Sequence, residues 1–383
     1  MRPQEKVCLL LPNSFEFVVA FFGALKAGAV PSAMNPAYKA REVAYQYEES
    51  DAVALVTRED LYPVVEEAAA QCPIEAIVSA KAAPKGSRHF QALLADHAPK
   101  PPRPAVEPKA DLAALPFTSG TTGYPKGVML THFNLHSNWL QFAHVGQIDE
   151  ADRLLLFLPL YHIYGAMLMG GGLLAGATLV LQERFDPQGT LDLVSKHRPT
   201  VLFVVPPVLV LYNNFPGARQ VDWSCVRYAM SGAAPLSKEV ALRFQAMTGV
   251  TVMQGYGMTE ASPVTHCNPL ERDGIRLETV GPPVPDTEQK VVDLESGQEL
   301  PPGQPGELLL RGPQVMKGYW KRPEENEQVL AGGWLHTGDV AALDADGYVT
   351  IVDRSKNMIK YKGFAIGPAE LEDVLFEHPA VAD

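Results

Sequence analysis

The segment richest in chemically useful residue types is a run of hydroxyl, glycine and lysine residues. It reads Thr118-Ser119-Gly120-Thr121-Thr122-Gly123-Tyr124-Pro125-Lys126-Gly127. Glycines allow the backbone to approach a ligand closely. Hydroxyls can donate hydrogen bonds to phosphate oxygens, and Lys126 adds positive charge. The order and spacing differ from a Walker A loop. The segment therefore predicts a different kind of triphosphate-binding loop.

Four later segments also carry residue types suited to binding or catalysis. They are Ser231-Gly232-Ala233-Ala234-Pro235, Gln254-Gly255-Tyr256-Gly257-Met258-Thr259-Glu260, Gly333-Trp334-Leu335-His336-Thr337-Gly338-Asp339, and Asp353-Arg354-Ser355-Lys356 followed by Lys360-Tyr361-Lys362-Gly363. Each has a plain structural alternative when taken singly. Tyr256 could be a core tyrosine, Asp339 a turn aspartate, and the lysines a solvated face.

In this order, the five segments resemble the motifs of the adenylate-forming (AMP-binding) superfamily. The superfamily includes acyl-CoA synthetases such as the 4-coumarate-CoA ligases, luciferases and the adenylation domains of peptide synthetases. The resemblance spans nearly the whole chain. It implies an acid-thiol ligase that uses ATP and Mg²⁺ to convert a carboxylic acid to an acyl-adenylate. The acyl group then passes to the thiol of CoA, with release of AMP.

The resemblance also implies roles for individual residues. Lys126, Thr259, Glu260 and Lys360 would be catalytic, with Glu260 on Mg²⁺ and Lys360 against the adenylate. Tyr256, Asp339 and Arg354 would hold the nucleoside. The phosphates and the rest of the nucleotide would lie against Thr118, Ser119, Gly120, Thr121, Thr122, Gly123, Ala233, Ala234, Gln254, Gly255 and Gly257. Lys356 would be the hinge, and Lys362 and Gly363 would serve the thioester-forming state.

The acid is predicted from Pro159-Leu160-Tyr161-His162-Ile163-Tyr164-Gly165, which resembles the acyl-site segment of fatty-acid and coumarate ligases. The substrate residues would be His162, Tyr164, Gly232, Ala233 and Gly257. Tyrosine and histidine stand where amino-acid-activating domains place an aspartate, so an amino-acid substrate is not expected. Medium- or long-chain fatty acids lead aryl acids narrowly. Ala365 replaces the glutamine of plant coumarate ligases, which weakens a hydroxycinnamate assignment.

Several alternatives remain open at this point. The glycines at 165 and 170–172 would either leave room for a long acyl tail or allow close helix packing. His162 would gate the pocket or be a core histidine, and Arg184 would contact CoA or lie on the surface. The chain could also be a fatty-acyl-AMP ligase that loads a carrier protein. A truncated, non-catalytic binder of nucleotide and acyl group is the remaining possibility.

The elements that must position these residues alternate between β and α types, which predicts α/β layers with mostly parallel strands. A small β-barrel-like subdomain is expected after Pro282, where turns become frequent. We predict an AMP-binding N-terminal domain over 1–353 that lacks its first elements. The start of a small α+β C-terminal domain would follow over 354–383. The family's C-terminal catalytic lysine is expected beyond Asp383.

Composition narrows the classes of partner. The formal net charge of −12 argues against nucleic acid. The four cysteines have no metal-ligand spacing, which favours a reduced, cytoplasmic protein. The uncharged stretch from Leu154 to Gln182 is long enough for a membrane span. It nevertheless divides into two β-rich runs around a small-residue helix, so we predict a buried strand-helix-strand unit. The oligomeric state is not predicted.

Overall fold

The computed structural model describes residues 2–79, 84–96, 104–118, 125–354, 359–361 and 364–366, with the backbone alone at 354 and beyond. The first unit is a parallel sheet with strand order β2-β1-β3-β4-β5. Its strands are β1 (Lys6–Leu10), β2 (Val30–Ala33), β3 (Ala52–Arg58), β4 (Ala76–Ser79) and β5 (Ser87–His89). Its helices are α1 (Phe15–Lys26), α2 (Ala40–Glu49), α3 (Tyr62–Ala68) and α4 (Phe90–Asp96). Ser14 caps α1, as its sequence predicts, by accepting a hydrogen bond from Phe17 N at 3.3 Å.

A small antiparallel sheet follows and carries the predicted phosphate segment. Its strands are β6 (Leu112–Ala114), β7 (Phe117–Thr118) and β8 (Lys126–Thr131). The apolar run from Leu112 to Phe117 would suggest one continuous strand, but the strand breaks at Leu115-Pro116. Proline cannot donate to a sheet, and the Pro116 carbonyl instead accepts from Val128 N at 2.8 Å.

The second large sheet has strand order β10-β9-β11-β12-β13-β14 and is parallel except for its last strand. Its strands are β9 (Arg153–Leu156), β10 (Thr178–Leu181), β11 (Val201–Val204), β12 (Tyr228–Ser231), β13 (Thr251–Gly257) and β14 (Val264–Cys267). The helices around it are α5 (His132–Val145), α6 (Ile163–Leu174), α7 (Pro187–His197), α8 (Pro206–Asn214) and α9 (Lys238–Thr248). Strands β11 and β12 are buried throughout, as expected for central strands covered by helices on both faces.

The uncharged stretch forms β9, α6 and β10, which confirms the strand-helix-strand prediction. Within the described ranges, no helix is both long and apolar enough to cross a membrane. The two parallel sheets share one hydrophobic core. Buried Asn13 joins them, because its amide donates to Leu158 O at 3.0 Å and its carbonyl accepts from Leu160 N at 2.7 Å.

The predicted β subdomain is an antiparallel sheet with order β15-β16-β18-β19. Its strands are β15 (Glu288–Val292), β16 (Gly306–Arg311), β18 (Leu335–Leu343) and β19 (Val349–Arg354). Strand β17 (Gly318–Tyr319) leaves it to pair with β8, and helix α10 (Pro323–Val329) follows. The two antiparallel sheets share a second core. Strands β20 (Ile359–Tyr361) and β21 (Phe364–Ile366) form a short hairpin.

Candidate active site

A cavity of about 710 Å³ opens where the carboxyl ends of β12 and β13 face β8, β18 and α10. Ligand sites of open α/β sheets lie outside the carboxyl ends of the strands. Residues from four of the five predicted motifs line this cavity: Thr118, Lys126, Gly232, Ala233, Gly255, Tyr256, Gly257, Thr259, Glu260 and Gly338. The fold therefore assembles segments that lie far apart in sequence into one site.

Lys126 is the first residue of β8, and its side chain is 16% exposed. Its ammonium lies 5.1 Å from the centre of the Tyr319 ring and forms an ion pair with Glu325 on α10. Among the cavity-lining residues that the structure describes, Lys126 supplies the only lysine or arginine charge. This end of the cavity is the one suited to phosphate.

Glu260 lies in the short helical turn Thr259–Ala261 and is only 7% exposed. Its Oε1 accepts a hydrogen bond from the Tyr319 hydroxyl at 2.7 Å. Across the described residues, no three His, Cys, Asp or Glu side chains form a cluster able to hold a metal ion. A single carboxylate still fits Mg²⁺, because this ion is often held by one or two carboxylates together with substrate phosphates.

The predicted nucleoside residues meet at the edge of the cavity. The Tyr256 hydroxyl donates to Asp339 Oδ2 at 2.5 Å, and Asp339 is buried. The register of β18 and β19 places Asp339 opposite Arg354, so the backbone brings together two of the residues predicted to hold the nucleoside. The Tyr256 ring faces the cavity and is 5.7 Å from the His266 ring.

The loop after β12 brings backbone and a hydroxyl to the cavity wall. Ala233 has a φ of 70°, a left-handed conformation that is uncommon outside glycine and is often found at functional sites. The buried Ser231 Oγ lines the cavity and has no hydrogen-bond partner within the described structure. Ala234 is exposed and does not line the cavity.

Gln254 is absent from the cavity wall and instead supports it. Its side-chain amide contacts the carbonyl of Leu277, and its Oε1 accepts from Leu236 N at 3.2 Å. These bonds tie the end of β13 to the segment that follows the Ser231–Pro235 loop. The resemblance suggested direct nucleotide contact for Gln254, whereas the structure places it behind the site.

The predicted acyl-site residues lie where α6 begins. His162 caps this helix, its Nδ1 accepting from Tyr164 N at 3.2 Å, and it faces the cavity. His162 is exposed, and partial desolvation by the protein around it lowers the pKa of its imidazole, which favours the neutral form at pH 7. Burial raises the pKa of Tyr164, whose hydroxyl lies 3.5 Å from Met230 O. Both residues therefore present neutral groups to a ligand.

The cavity continues along β12 from Gly232 to Tyr228 at the amino end of the strand. Four residues of strand correspond to a depth of about 13 Å. Tyr228 closes this end by donating a hydrogen bond to Gly146 O, at the end of α5, at 2.7 Å. The walls around it are uncharged and comprise Phe142, Val145, Met167, Phe203, Met230, Val264 and Cys267.

The glycines of α6 do not open into this cavity. A Cβ at Gly170 would overlap the Trp139 indole, and one at Gly171 would overlap the Phe142 ring. A Cβ at Gly165 would overlap the Pro159 carbonyl. These positions serve close packing of α6, so of the two alternatives left open by the sequence the structure supports helix packing and not room for a long acyl tail. Arg184 is exposed on the surface.

Several predicted residues cannot be placed. Ser119, Gly120, Thr121, Thr122, Gly123, Lys356, Lys362 and Gly363 lie outside the described residues. Lys360 is described only as a backbone position in β20, paired with Ala365. The sequence also predicts a helix from Pro368 to Glu377, and this segment lies outside the described residues.

Sequence reasoning missed Tyr319, Glu325, His266, Glu307 and Tyr228. The first four carry no local signal, because they reach the site through strand pairing and helix packing. A signal did exist for Tyr228. Residues 228, 230 and 232 share one face of a strand with a period of two, so the predicted contact at Gly232 implied the other two.

The geometry defines a class of enzyme that binds a phosphate-bearing nucleotide beside an uncharged pocket. Comparison with known proteins agrees. The model of the AMP-binding enzyme family matches residues 1–320. The chain is 39% identical over 398 residues to 4-coumarate-CoA ligase 1 from Narcissus pseudonarcissus, covering 100% of this chain and 72% of that protein.

Two solved structures show the same fold. The anthranilate CoA ligase AuaEII in complex with anthranoyl-AMP aligns with a TM-score of 0.92 at 29% identity, covering 100% of this chain and 74% of that one. A long-chain-fatty-acid-CoA ligase from Archaeoglobus fulgidus aligns with a TM-score of 0.83 at 30% identity, covering 100% and 76%. The chain belongs to the AMP-binding enzyme family, and its relatives are acid-thiol ligases that use ATP and CoA.

Proposed function

We propose that this protein uses ATP to activate a carboxylic acid whose acyl group is compact and uncharged. It then transfers that acyl group to CoA. One observation carries the proposal. A single cavity joins the Lys126–Glu260 end, suited to phosphate and Mg²⁺, to an uncharged end closed by Tyr228. An acyl-adenylate has the same division into a charged nucleotide and an acyl group.

The residues divide the first half-reaction between them. A carboxylate oxygen of the acid attacks the α-phosphorus of ATP, the bond to the bridging oxygen breaks, and pyrophosphate leaves. Lys126 compensates charge on the phosphates, and backbone groups of the Gly232-Ala233 loop hold the reacting carboxylate near them. Mg²⁺, held by Glu260, would supply further charge neutralisation. In the second half-reaction a thiolate attacks the acyl carbon and AMP leaves.

The length of the pocket, which Tyr228 closes, lets us order the candidate acids by how well they fit. One open alternative placed a long acyl tail beside Gly170–Gly172, and that space is filled by Trp139 and Phe142. A chain longer than the pocket would have to displace Tyr228, whose hydroxyl is bonded to α5. We therefore place aryl acids and medium-chain fatty acids ahead of long-chain acids. The similarity to 4-coumarate-CoA ligases supports the aryl choice, and the Archaeoglobus structure supports the fatty one.

Three further assignments belong to the proposal. CoA is the acceptor, as in the related ligases, in preference to a carrier protein. The AMP-binding domain spans 1–353, and the start of a C-terminal domain follows over 354–383. The location is cytoplasmic, which is consistent with four free cysteines.

Affinity for non-hydrolysable acyl-adenylate analogues tests the proposal. We expect the wild type to bind cinnamoyl and octanoyl analogues at least tenfold more tightly than the palmitoyl analogue. Tyr228→Ala should improve palmitoyl binding and weaken cinnamoyl binding, because it opens the end of the pocket. Tyr228→Phe is the matched control, since it removes only the hydrogen bond to Gly146. Tightest binding of the palmitoyl analogue by the wild type would contradict the ranking.

A further inference from the structure

Glu325 occupies the position from which it can compete with ATP for Lys126. It lines the cavity and forms an ion pair with the Lys126 ammonium. In the proposed function the same ammonium binds the phosphates of ATP. The phosphates and the Glu325 carboxylate cannot both hold Lys126 closely. The residues assigned to the nucleotide from the sequence do not include Glu325 and give its carboxylate no role.

The two side chains of the pair differ in how far they are exposed and therefore in how freely they can move. The Lys126 side chain is 16% exposed, beside the Tyr319 ring, whereas the Glu325 side chain is 40% exposed. Arg322 Nε also lies 3.8 Å from Glu325 Oε1, so Glu325 keeps a cationic neighbour when it turns towards solvent, and Lys126 stays in the wall. A weak, half-exposed ion pair of this kind is readily exchanged for a stronger anion.

The backbone around Glu325 is fixed. The neighbouring Asn326 accepts from Tyr319 N at 2.6 Å and donates to Tyr319 O at 2.9 Å. Tyr319 lies in β17, which pairs with β8, the strand that begins at Lys126. Helix α10 is thereby held against β8, so the pairing depends on the length of the Glu325 side chain.

The cavity wall carries more carboxylates than ammonium groups among its described residues, so the partner of Lys126 affects the charge that a ligand meets. Three glutamates line it (Glu260, Glu307 and Glu325), against the single ammonium of Lys126 among the described lining residues. Glu260 is already bonded to Tyr319, and Glu307 faces His336 at 3.1 Å. Glu325 is the carboxylate that neutralises Lys126.

We propose that Glu325 is a positioning residue that holds Lys126 when the site lacks nucleotide, yields it to the triphosphate, and takes it back as pyrophosphate leaves. The inference rests on the proposed role of Lys126 in phosphate binding. Glu325 then weakens ATP binding and favours pyrophosphate release. Removing its carboxylate should tighten both ligands, whereas damage to a merely structural contact would weaken them.

Calorimetric titration of the protein with Mg-ATP, and separately with magnesium pyrophosphate, tests the proposal. We expect Glu325→Gln to bind both about threefold to fivefold more tightly than the wild type. Glu327→Gln, an exposed position on the same helix with the same change of charge, should alter affinity by less than twofold. Glu325→Asp keeps the charge and shortens the side chain by one methylene. It should also bind more tightly, because it loses Lys126.

Each result has a defined meaning. Weaker binding by Glu325→Gln would overturn the proposal, and so would an affinity equal to that of Glu327→Gln. Wild-type affinity in Glu325→Asp would show simple charge repulsion and overturn the competition for Lys126. Lys126→Met distinguishes failure of the proposed phosphate binding by Lys126 from failure of the proposed role of Glu325. If it leaves ATP affinity unchanged, the proposed function of Lys126 fails. If it weakens binding while Glu325→Gln has no effect, only the role of Glu325 fails.

Discussion

The hydroxyl of Tyr256 donates a hydrogen bond to the carboxylate of Asp339 across 2.5 Å, joining β13 to β18. The two residues are 83 positions apart in the chain. The resemblance assigned both residues to the nucleoside. Their contact brings together two residues predicted for the nucleoside, at the place where the parallel sheet meets the antiparallel one.

This contact predicts different outcomes for two substitutions of Tyr256. Tyr256→Phe keeps the ring for stacking and releases Asp339 for the ribose, so AMP affinity should change by less than about threefold. Tyr256→Leu removes the aromatic face, which is worth about 1–3 kcal/mol per stacked base. It should weaken AMP binding by roughly tenfold or more. Equal losses in the two variants, measured by calorimetry, would show that the hydroxyl rather than the ring carries the interaction.

Close packing of α6 predicts the stability effects of two glycine substitutions. Gly170→Ala places a methyl group against the Trp139 indole and should lower the free energy of unfolding by about 1–3 kcal/mol. Gly23→Ala is the matched control, because a Cβ there meets nothing within 4 Å in α1. It should be neutral or raise stability by up to about 1 kcal/mol.

Urea unfolding measures both effects. A neutral Gly170→Ala would mean that α5 and α6 are packed more loosely than the structure shows. The long-tail interpretation of these glycines would then regain support.

Buried His266 predicts a pH-dependent term in stability. Desolvation lowers the pKa of His266 to about 4, and its ring nitrogens lie 2.9 Å from Thr265 Oγ1 and 2.7 Å from Gln289 Oε1. The unfolded chain takes up the proton near pH 6.5. This contribution to stability is therefore fully present above that pH and is lost as the pH falls towards 4.

The test compares wild type with His266→Gln at pH 7.5 and pH 5. The wild type should lose on the order of 2 kcal/mol more than the variant over this interval. Equal losses would mean that carboxylates alone cause the acid destabilisation. The carboxylates are the same in both proteins, so their contribution cancels when the losses in the free energy of unfolding are subtracted.

Motif residues and buried strands could be predicted from sequence because their signals are local. The runs at Val201–Val204 and Leu154–Leu156 are apolar and β-branched or leucine-rich, and they form central strands. The motif resemblance assigned Lys126, Gly232, Tyr256 and Glu260 to one site, and in the structure all four line one cavity. The break at Pro116 was missed, although proline in a strand is a known signal for one.

Partners that meet through tertiary structure could not be predicted. Glu325 reaches Lys126 only because β17 pairs with β8 and not with the neighbouring strands β16 and β18. The interpretation of Gly170 was left open because a helical glycine has the same local signal whether it borders a pocket or an indole. Only the position of Trp139 on α5 decides between them.

The central claim is that one continuous cavity holds both parts of an acyl-adenylate. Calorimetric affinities of AMP, of cinnamate and of a non-hydrolysable cinnamoyl-adenylate analogue test it most directly. If the two parts occupy one cavity, the linked analogue should bind at least a hundredfold more tightly than either part, because joining them avoids a second loss of translational and rotational freedom. An analogue that binds no more tightly than AMP alone would contradict the account, since its acyl group would then gain nothing from the pocket closed by Tyr228.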